Sequence, residues 1–260
     1  MTLGFITWNV DPGLFSLGFL HVRWYGLLFA LGFVTGYYIM AWMFKREKID
    51  IKVLDSLTTY MVLSTVIGAR LGHVLFYEPA TYLAHPLDII KIWEGGLASH
   101  GAAIGILIGL WLFARKHQKP WLWVVDRIVV VTALAGAFIR IGNLMNSEIY
   151  GHATNLPWAF IFAADDNIPR HPTQIYEALC YVATFFFLLR LYRKQAGQPM
   201  GRLFGWFLVC IFTARFVIEF LKEPQVMFEQ TMLLNMGQLL SIPFVAAGIW
   251  LLMRRSENYK

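Results

Sequence analysis

Apolar residues run in seven long blocks along the chain, near Leu20–Phe44, Asp55–Tyr77, Leu97–Ala114, Trp121–Asn143, Thr173–Tyr192, Arg202–Leu221 and Leu233–Met253. A helix crossing a bilayer takes about 20 mostly apolar residues, with a range of about 17–25. Each block therefore predicts one span, and the pattern predicts an all-α polytopic membrane protein, a single integral domain over residues 1–260 with seven transmembrane helices. The opening Met1–Phe15 has no basic n-region and carries Asp11-Pro12-Gly13. That is not a cleaved signal peptide, so the first span is expected to stay in the mature protein. Two links are long enough to fold. Residues 78–96, with Pro79, Pro86 and Trp93, predict a short amphipathic arm along the membrane surface. Residues 144–172, with Asn155-Leu156-Pro157 and Asp165-Asp166-Asn167, predict a small head of turns and short strands.

Composition supports the spans: 58% of the 260 residues are hydrophobic and 15% charged, against about 45–50% and about 25% in soluble domains. Mean hydropathy is +0.55. A disordered chain and an ordinary soluble enzyme are excluded. The net charge of +6 does not imply a nucleic-acid partner, because no soluble domain is available to carry a basic face. Sorted by position, the basic residues set an orientation instead. Lys45, Arg46, Lys48, Lys52, Arg115, Lys116, Lys119, Arg190, Arg193, Lys194, Arg202, Arg254, Arg255 and Lys260 gather on one side; Arg23, Lys91, Arg170 and Lys222 fall on the other. The richer side is expected to be cytoplasmic, with the N-terminus outside and the C-terminus inside. Glycines four apart (Gly32/Gly36, Gly68/Gly72, Gly101/Gly105/Gly109, Gly201/Gly205) predict close helix packing within the chain rather than a dimer seam, and a monomer is the default expectation. No internal repeat of the transporter kind is visible.

Ionisable groups at membrane depth are expensive, about 2.5–3.5 kcal/mol each on insertion scales, so each needs a partner or a task. Tyr25, Arg70, His100, Arg140, Asn143, Gln174, Glu177, Arg215 and Glu219 all fall in the outer halves of their spans under this topology. They predict one polar cavity open to the outside. Arginines outnumbering nearby acids suit a phosphate, which a guanidinium fork binds bidentately. A lipid headgroup is the most available phosphate. Structural alternatives stand beside this: Arg215 with Glu219 on one helix face, Arg70 with Glu177 across helices, and His100 as a packing residue. The setting of His100, between Gly95-Gly96 and Gly101, favours a site, and an imidazole is a natural general base. No metal spacing, nucleotide loop or serine elbow occurs. Cys180 and Cys210 read as small hydrophobes. Neither a metal nor a cofactor is expected, and the chain offers no nucleophile of its own.

Four motifs in order carry a resemblance. Trp93 to Gly101 (W-E-G-G-L-A-S-H-G), Arg140 to Gly151 (R-I-G-N-L-M-N-S-E-I-Y-G), His171 to Glu177 (H-P-T-Q-I-Y-E) and Arg215 to Phe220 (R-F-V-I-E-F) resemble the signatures of bacterial prolipoprotein diacylglyceryl transferases. The likeness runs from Val22-Arg23-Trp24-Tyr25-Gly26 to Met236-Gly237-Gln238. One departure is Ile211, where some members carry a tyrosine. The resemblance implies transfer of the diacylglyceryl group of phosphatidylglycerol to the lipobox cysteine of a prolipoprotein signal peptide, in the bacterial cytoplasmic (inner) membrane. It implies Arg140 and Asn143 on the lipid phosphate, Arg215 on the leaving group, His100 as base and Tyr25 as an orienting group. Glu148 and Gly151 would shape the cavity roof, with Arg70, Gln174, Glu177 and Glu219 in support. The rival class is a transporter of an anion or lipid headgroup, which needs polar positions in the cytoplasmic half; this chain has almost none. An intramembrane protease lacks its Ser/His or paired-Asp site.

Overall fold

A computed structural model describes residues 4–17, 20–92, 95–194, 199–224 and 232–254. Trp93 and Glu94 of the first motif, and Arg255 and Lys260 of the last basic group, lie outside the described residues. Seven helices of 18 residues or more follow the seven apolar blocks: α1 (Trp24–Arg46), α2 (Ile51–Phe76), α4 (Ser99–Lys116), α5 (Trp121–Met145), α6 (Thr173–Arg193), α7 (Arg202–Glu219) and α8 (Met236–Met253). Five of them, α1, α2, α5, α6 and α8, are long and apolar enough to cross a membrane. α4 ends on Arg115-Lys116, and α7 carries Arg202, Arg215 and Glu219 within its 18 residues. The chain is thus a mostly helical, multi-pass membrane protein.

The start of the first block needs correction. Leu20–Arg23 is not helix but strand β3, antiparallel to β2 (Gly13–Leu17). Polar His21 and Arg23 alternate there with apolar neighbours, the period of a strand. The Trp24 N–H then donates to Pro12 O at 3.1 Å, and α1 begins.

The chain forms two compact units, residues 40–125 and residues 1–39 with 126–260. In the first, α2 and α4 meet along their glycines. A Cβ on Gly68 would stand 2.5 Å from Gly101 O, and one on Gly72 would stand 2.6 Å from Gly101 Cα. Backbone meets backbone there, as small-residue helix contacts in lipid require. Asp50 caps α2 by accepting from Lys52 N at 3.0 Å. Helix α3 (Pro79–Ala84) and a 3-10 turn (Pro86–Ile90) lie within residues 78–96. They bury Tyr82 and expose Leu83, Leu87 and Ile90, the split of an amphipathic element.

In the other unit, Gly32 and Gly36 of α1 face Ala135 and Val131 of α5, and Gly205 of α7 faces Gly248 of α8. Asp126, fully buried, caps the start of α7 from α5, accepting from Gly201 N at 2.7 Å and Phe204 N at 2.8 Å. Asn235 and Gln238, polar residues at the start of the last block, form the capping box of α8 and so satisfy its first turn. Strand β4 (Phe160–Phe162) of the head pairs antiparallel with β5 (Pro169–Arg170) and parallel with β1 (Ile6–Trp8), which completes the sheet from the far end of the sequence. Leu144, Phe160 and Phe162 form its core with Trp8, Tyr150 and Ile175 against them.

Candidate active site

α5 supplies Arg140 and Asn143 three residues apart, on one helix face. After Met145 the chain turns back sharply. Ser147 and Ile149 both adopt positive φ, 53° and 60°, a conformation uncommon outside glycine and concentrated at functional sites. The turn carries Glu148 back over the end of α5: Glu148 N–H donates to Asn143 O at 3.0 Å. Asn143 Nδ2 then donates to Glu148 Oε1 at 2.7 Å, and Asn146 Nδ2 to the same oxygen at 3.2 Å. Gly142 leaves room for Tyr25 at the start of α1, since a Cβ there would stand 2.8 Å from the ring. Tyr25 thereby lies within electrostatic reach of Glu148 and Arg140.

α6 holds this turn from its first two residues. Thr173 Oγ1 donates to Ile149 O at 2.9 Å and Gln174 Nε2 to Glu148 O at 2.7 Å. Gln174 therefore fastens the head to α6. His171 hydrogen-bonds Tyr176, and burial, then the neighbouring His152, hold its pKa below the ordinary histidine value. Gly151 is wedged against His171 Cβ and Thr173 Cγ2, with no space for a side chain, and bridges to the segment after α7 at Lys222. At the head surface Asp166 is held below the usual carboxylate range, first by the hydrogen bond from Arg170.

Three cations and two acids meet below the turn. Arg140 Nε lies 3.0 Å from Glu177 Oε2, with Glu177 fully buried. Lys222 Nζ reaches Glu177 Oε1 at 3.0 Å and Glu219 Oε2 at 3.1 Å. Arg215 does not pair with Glu219. Its Nε is buried with no hydrogen-bond partner, and no ion pair to it occurs among the described residues. Tyr181, one turn beyond Glu177 on the same buried face of α6, packs against Gly136 of α5, one turn before Arg140. The cluster thus carries one cation more than its acids, with the Arg215 Nε buried and unpartnered, chemistry suited to an anion.

One unit therefore gathers Tyr25, Arg140, Asn143, Glu148, Gly151, Gln174, Glu177, Arg215 and Glu219. Lys222 and Tyr181 belong with them and escaped sequence reasoning; their signals were an E-x-x-K step at the end of α7 and a tyrosine four residues after Glu177 on the same face. Arg70 and His100 belong to the other unit. Arg70 is buried, 5% exposed. Its donors go to the carbonyls of Ile89 (2.8 Å), Gly95 (2.6 Å), Gly96 (3.1 Å) and Asp88 (2.5 Å), and it lies over the Tyr82 ring, clamping the arm to α2. Arg70 and Glu177, set out above as possible partners, each have partners within their own unit. His100 stands exposed on the first turn of α4.

The family model described as Prolipoprotein diacylglyceryl transferase matches residues 12–254. A protein of Tolumonas auensis named phosphatidylglycerol–prolipoprotein diacylglyceryl transferase is 52% identical over 252 residues, covering 96% of this chain and 98% of that protein. One of the same name from Porphyromonas gingivalis is 51% identical over 276 residues, covering 99% and 98%. A third, from Chloroherpeton thalassium, is 47% identical over 255 residues, covering 97% and 95%. All four sequence motifs lie inside the matched region, and the buried cation cluster is built from three of them. On these grounds the chain belongs to the prolipoprotein diacylglyceryl transferase family.

Proposed function

We propose that the chain transfers the diacylglyceryl group of phosphatidylglycerol to the thiol of a prolipoprotein's lipobox cysteine, and that the Arg140–Arg215 cluster holds the phosphate throughout. The thiol sulfur attacks the glyceryl carbon that bears the phosphate ester. A C–S bond forms, the C–O bond breaks, and its electron pair leaves with glycerol phosphate. The phosphodiester carries one negative charge and the departing monoester gains a second, so a preplaced cation stabilises the transition state more than the ground state. The observation that carries this reading is the buried Arg215 Nε with no partner, beside an Arg140 held in place by Glu177.

Arg140 and Asn143 are assigned to the lipid phosphate and Arg215 to the leaving group. Tyr25 orients the headgroup or thiol, and Glu148 and Gly151 form the roof. His100, exposed on the first turn of α4, is assigned to take the thiol proton. Seven spans, with the N-terminus and both the 78–96 arm and the 144–172 head outside, follow from the distribution of Lys and Arg. The enzyme is placed in the bacterial cytoplasmic membrane, as a monomer acting on signal peptides that present a lipobox.

The experiment is reconstitution with phosphatidylglycerol and a lipobox peptide, reading thioether-linked product. Wild type forms product, Arg140→Ala and Arg215→Ala insert normally and form none, and His100→Gln loses most transfer. Normal transfer by Arg140→Ala would refute phosphate binding, and anion flux without product would support the transporter instead.

A further inference from the structure

We propose that Arg70 is a positioning residue for His100: through the carbonyls of Gly95 and Gly96 it fixes the turn that leads into the first turn of α4, where His100 stands. This rests on the assignment of His100 as the group that takes the thiol proton. α4 begins without the usual support. Its N-cap is Ala98, and no side chain caps it; alanine is among the weaker residues at that position. The free N–H groups of a helix start need a hold from elsewhere, and α2 supplies one. Ala98 N–H donates to Ala69 O at 2.9 Å. The next residue, Arg70, donates from Nη1 to Gly95 O at 2.6 Å and to Gly96 O at 3.1 Å.

The turn is shaped to be held this way. Gly95 and Gly96 take φ of 94° and 70°, the left-handed region open to glycine. A Cβ on Gly96 would stand 2.7 Å from both Arg70 Nη1 and His73 Nε2, so the backbone lies directly on these two side chains. The rest of the guanidinium is anchored as well. Nε donates to Ile89 O at 2.8 Å, Nη2 donates to Asp88 O at 2.5 Å, and the plane lies over the Tyr82 ring. One planar cation thus ties the 3-10 turn and the Gly95–Gly96 turn to a single point on α2. A rigid fork of donors reaches both sets of carbonyls, whereas an ammonium is one point. The glycines of α4 that meet α2 start at Gly101, one residue after His100. The approach to His100 is therefore held from its other side, by Arg70.

Steady-state transfer by the full chain in phosphatidylglycerol nanodiscs, with a lipobox peptide and below the melting temperature of each variant, tests this. Arg70→Lys keeps the charge and removes the fork. It is expected to lower kcat about tenfold, the scale of one hydrogen bond to a charged group. KM for phosphatidylglycerol stays at the wild-type value, because the phosphate is assigned to Arg140 and Arg215. Gly96→Ala, which pushes the turn off Arg70, is expected to give the same fall in kcat. Amide exchange at Ala98 and Ala102, at the start of α4, quickens in both variants and stays as in wild type in α5. In a His100→Gln background Arg70→Lys should add less than about twofold, because the group it positions is gone. The proposal is overturned if Arg70→Lys or Gly96→Ala keeps the wild-type kcat or leaves exchange at Ala98 unchanged. It is also overturned if Arg70→Lys raises KM for phosphatidylglycerol in place of lowering kcat, or has its full effect in the His100→Gln background. The two failures separate: a His100→Gln variant with wild-type kcat removes the assignment of the base itself, whereas a lowered kcat there with a normal one in Arg70→Lys removes only Arg70.

Discussion

Replacing Lys222 by Met strips Glu219 of its cation and leaves Glu177 with Arg140 alone. Lys222 Nζ sits 3.0 Å from Glu177 and 3.1 Å from Glu219, and the three side chains are 3%, 0% and 10% exposed. Water has no ready access to re-solvate them, so the penalty is set by stranding, not by the loss of one attraction. Removing one partner of a buried ion pair costs about 3–5 kcal/mol, which at about 2–4 °C per kcal/mol for a chain of this size is a fall of about 6–20 °C in melting temperature. The assay is thermal unfolding of the detergent-solubilised protein. A control comes from the surface pair of Lys91 and Asp88, 2.5 Å apart with both side chains about one-third exposed: Lys91→Ala should leave the melting temperature where it is, since exposed pairs add little. The double variant Lys222→Met/Glu219→Gln removes one of the stranded charges and should melt above Lys222→Met alone. If Lys222→Met melts with wild type, or the double variant melts lower by the sum of its parts, the buried network does not carry the stability assigned to it.

Other outcomes follow from the same contacts. Gly101→Ala forces a Cβ to within 2.7 Å of Gly72 Cα and should cost about 1–3 kcal/mol of overpacking, seen as a lower melting temperature with the site chemistry retained in what stays folded. Asp126→Ala removes two caps from the start of α7 and should cost about 0.5–2 kcal/mol, with faster amide exchange in the first turn of that helix and none in the head. Burial and His152 hold His171 below the ordinary histidine pKa. Between that ordinary value, ~6.5, and the lower folded one, the unfolded chain binds the extra proton, so head stability is full above the window and falls as pH drops through it. His171→Gln should flatten that pH dependence of head amide exchange.

Hydropathy located the helices because each is a long, continuous apolar run whose signal is local. Its boundaries failed where another local period took over, as at Leu20–Arg23, where alternation gave a strand. The site was legible as a set of residue types, since Arg140, Arg215 and Glu177 stand out in an apolar sequence. Their pairing was not. Arg70 looked like an orphan charge because its partners are carbonyls of Asp88, Ile89, Gly95 and Gly96, which every residue carries and no pattern marks. Lys222 looked like a loop charge because it follows the last turn of α7, and only the fold brings it under Glu177, 45 residues earlier. Short strands of three residues carry too little period to be seen, and the partner of β1 lies beyond five helices.

That distant partnership has a consequence for synthesis. Ile6–Trp8 leaves the ribosome long before Phe160–Phe162 exists, and Trp8 Nε1 must also wait for Leu144 O, 136 residues on. At about 5–20 residues per second, the first strand spends roughly 8–30 s without its neighbour while α1 to α5 are made. During that interval the sheet has no edge to offer, and Ile6 and Trp8 face the membrane surface or the insertion machinery. The sheet therefore closes only once Phe160–Phe162 has been made, on a strand whose own synthesis ended about 150 residues earlier.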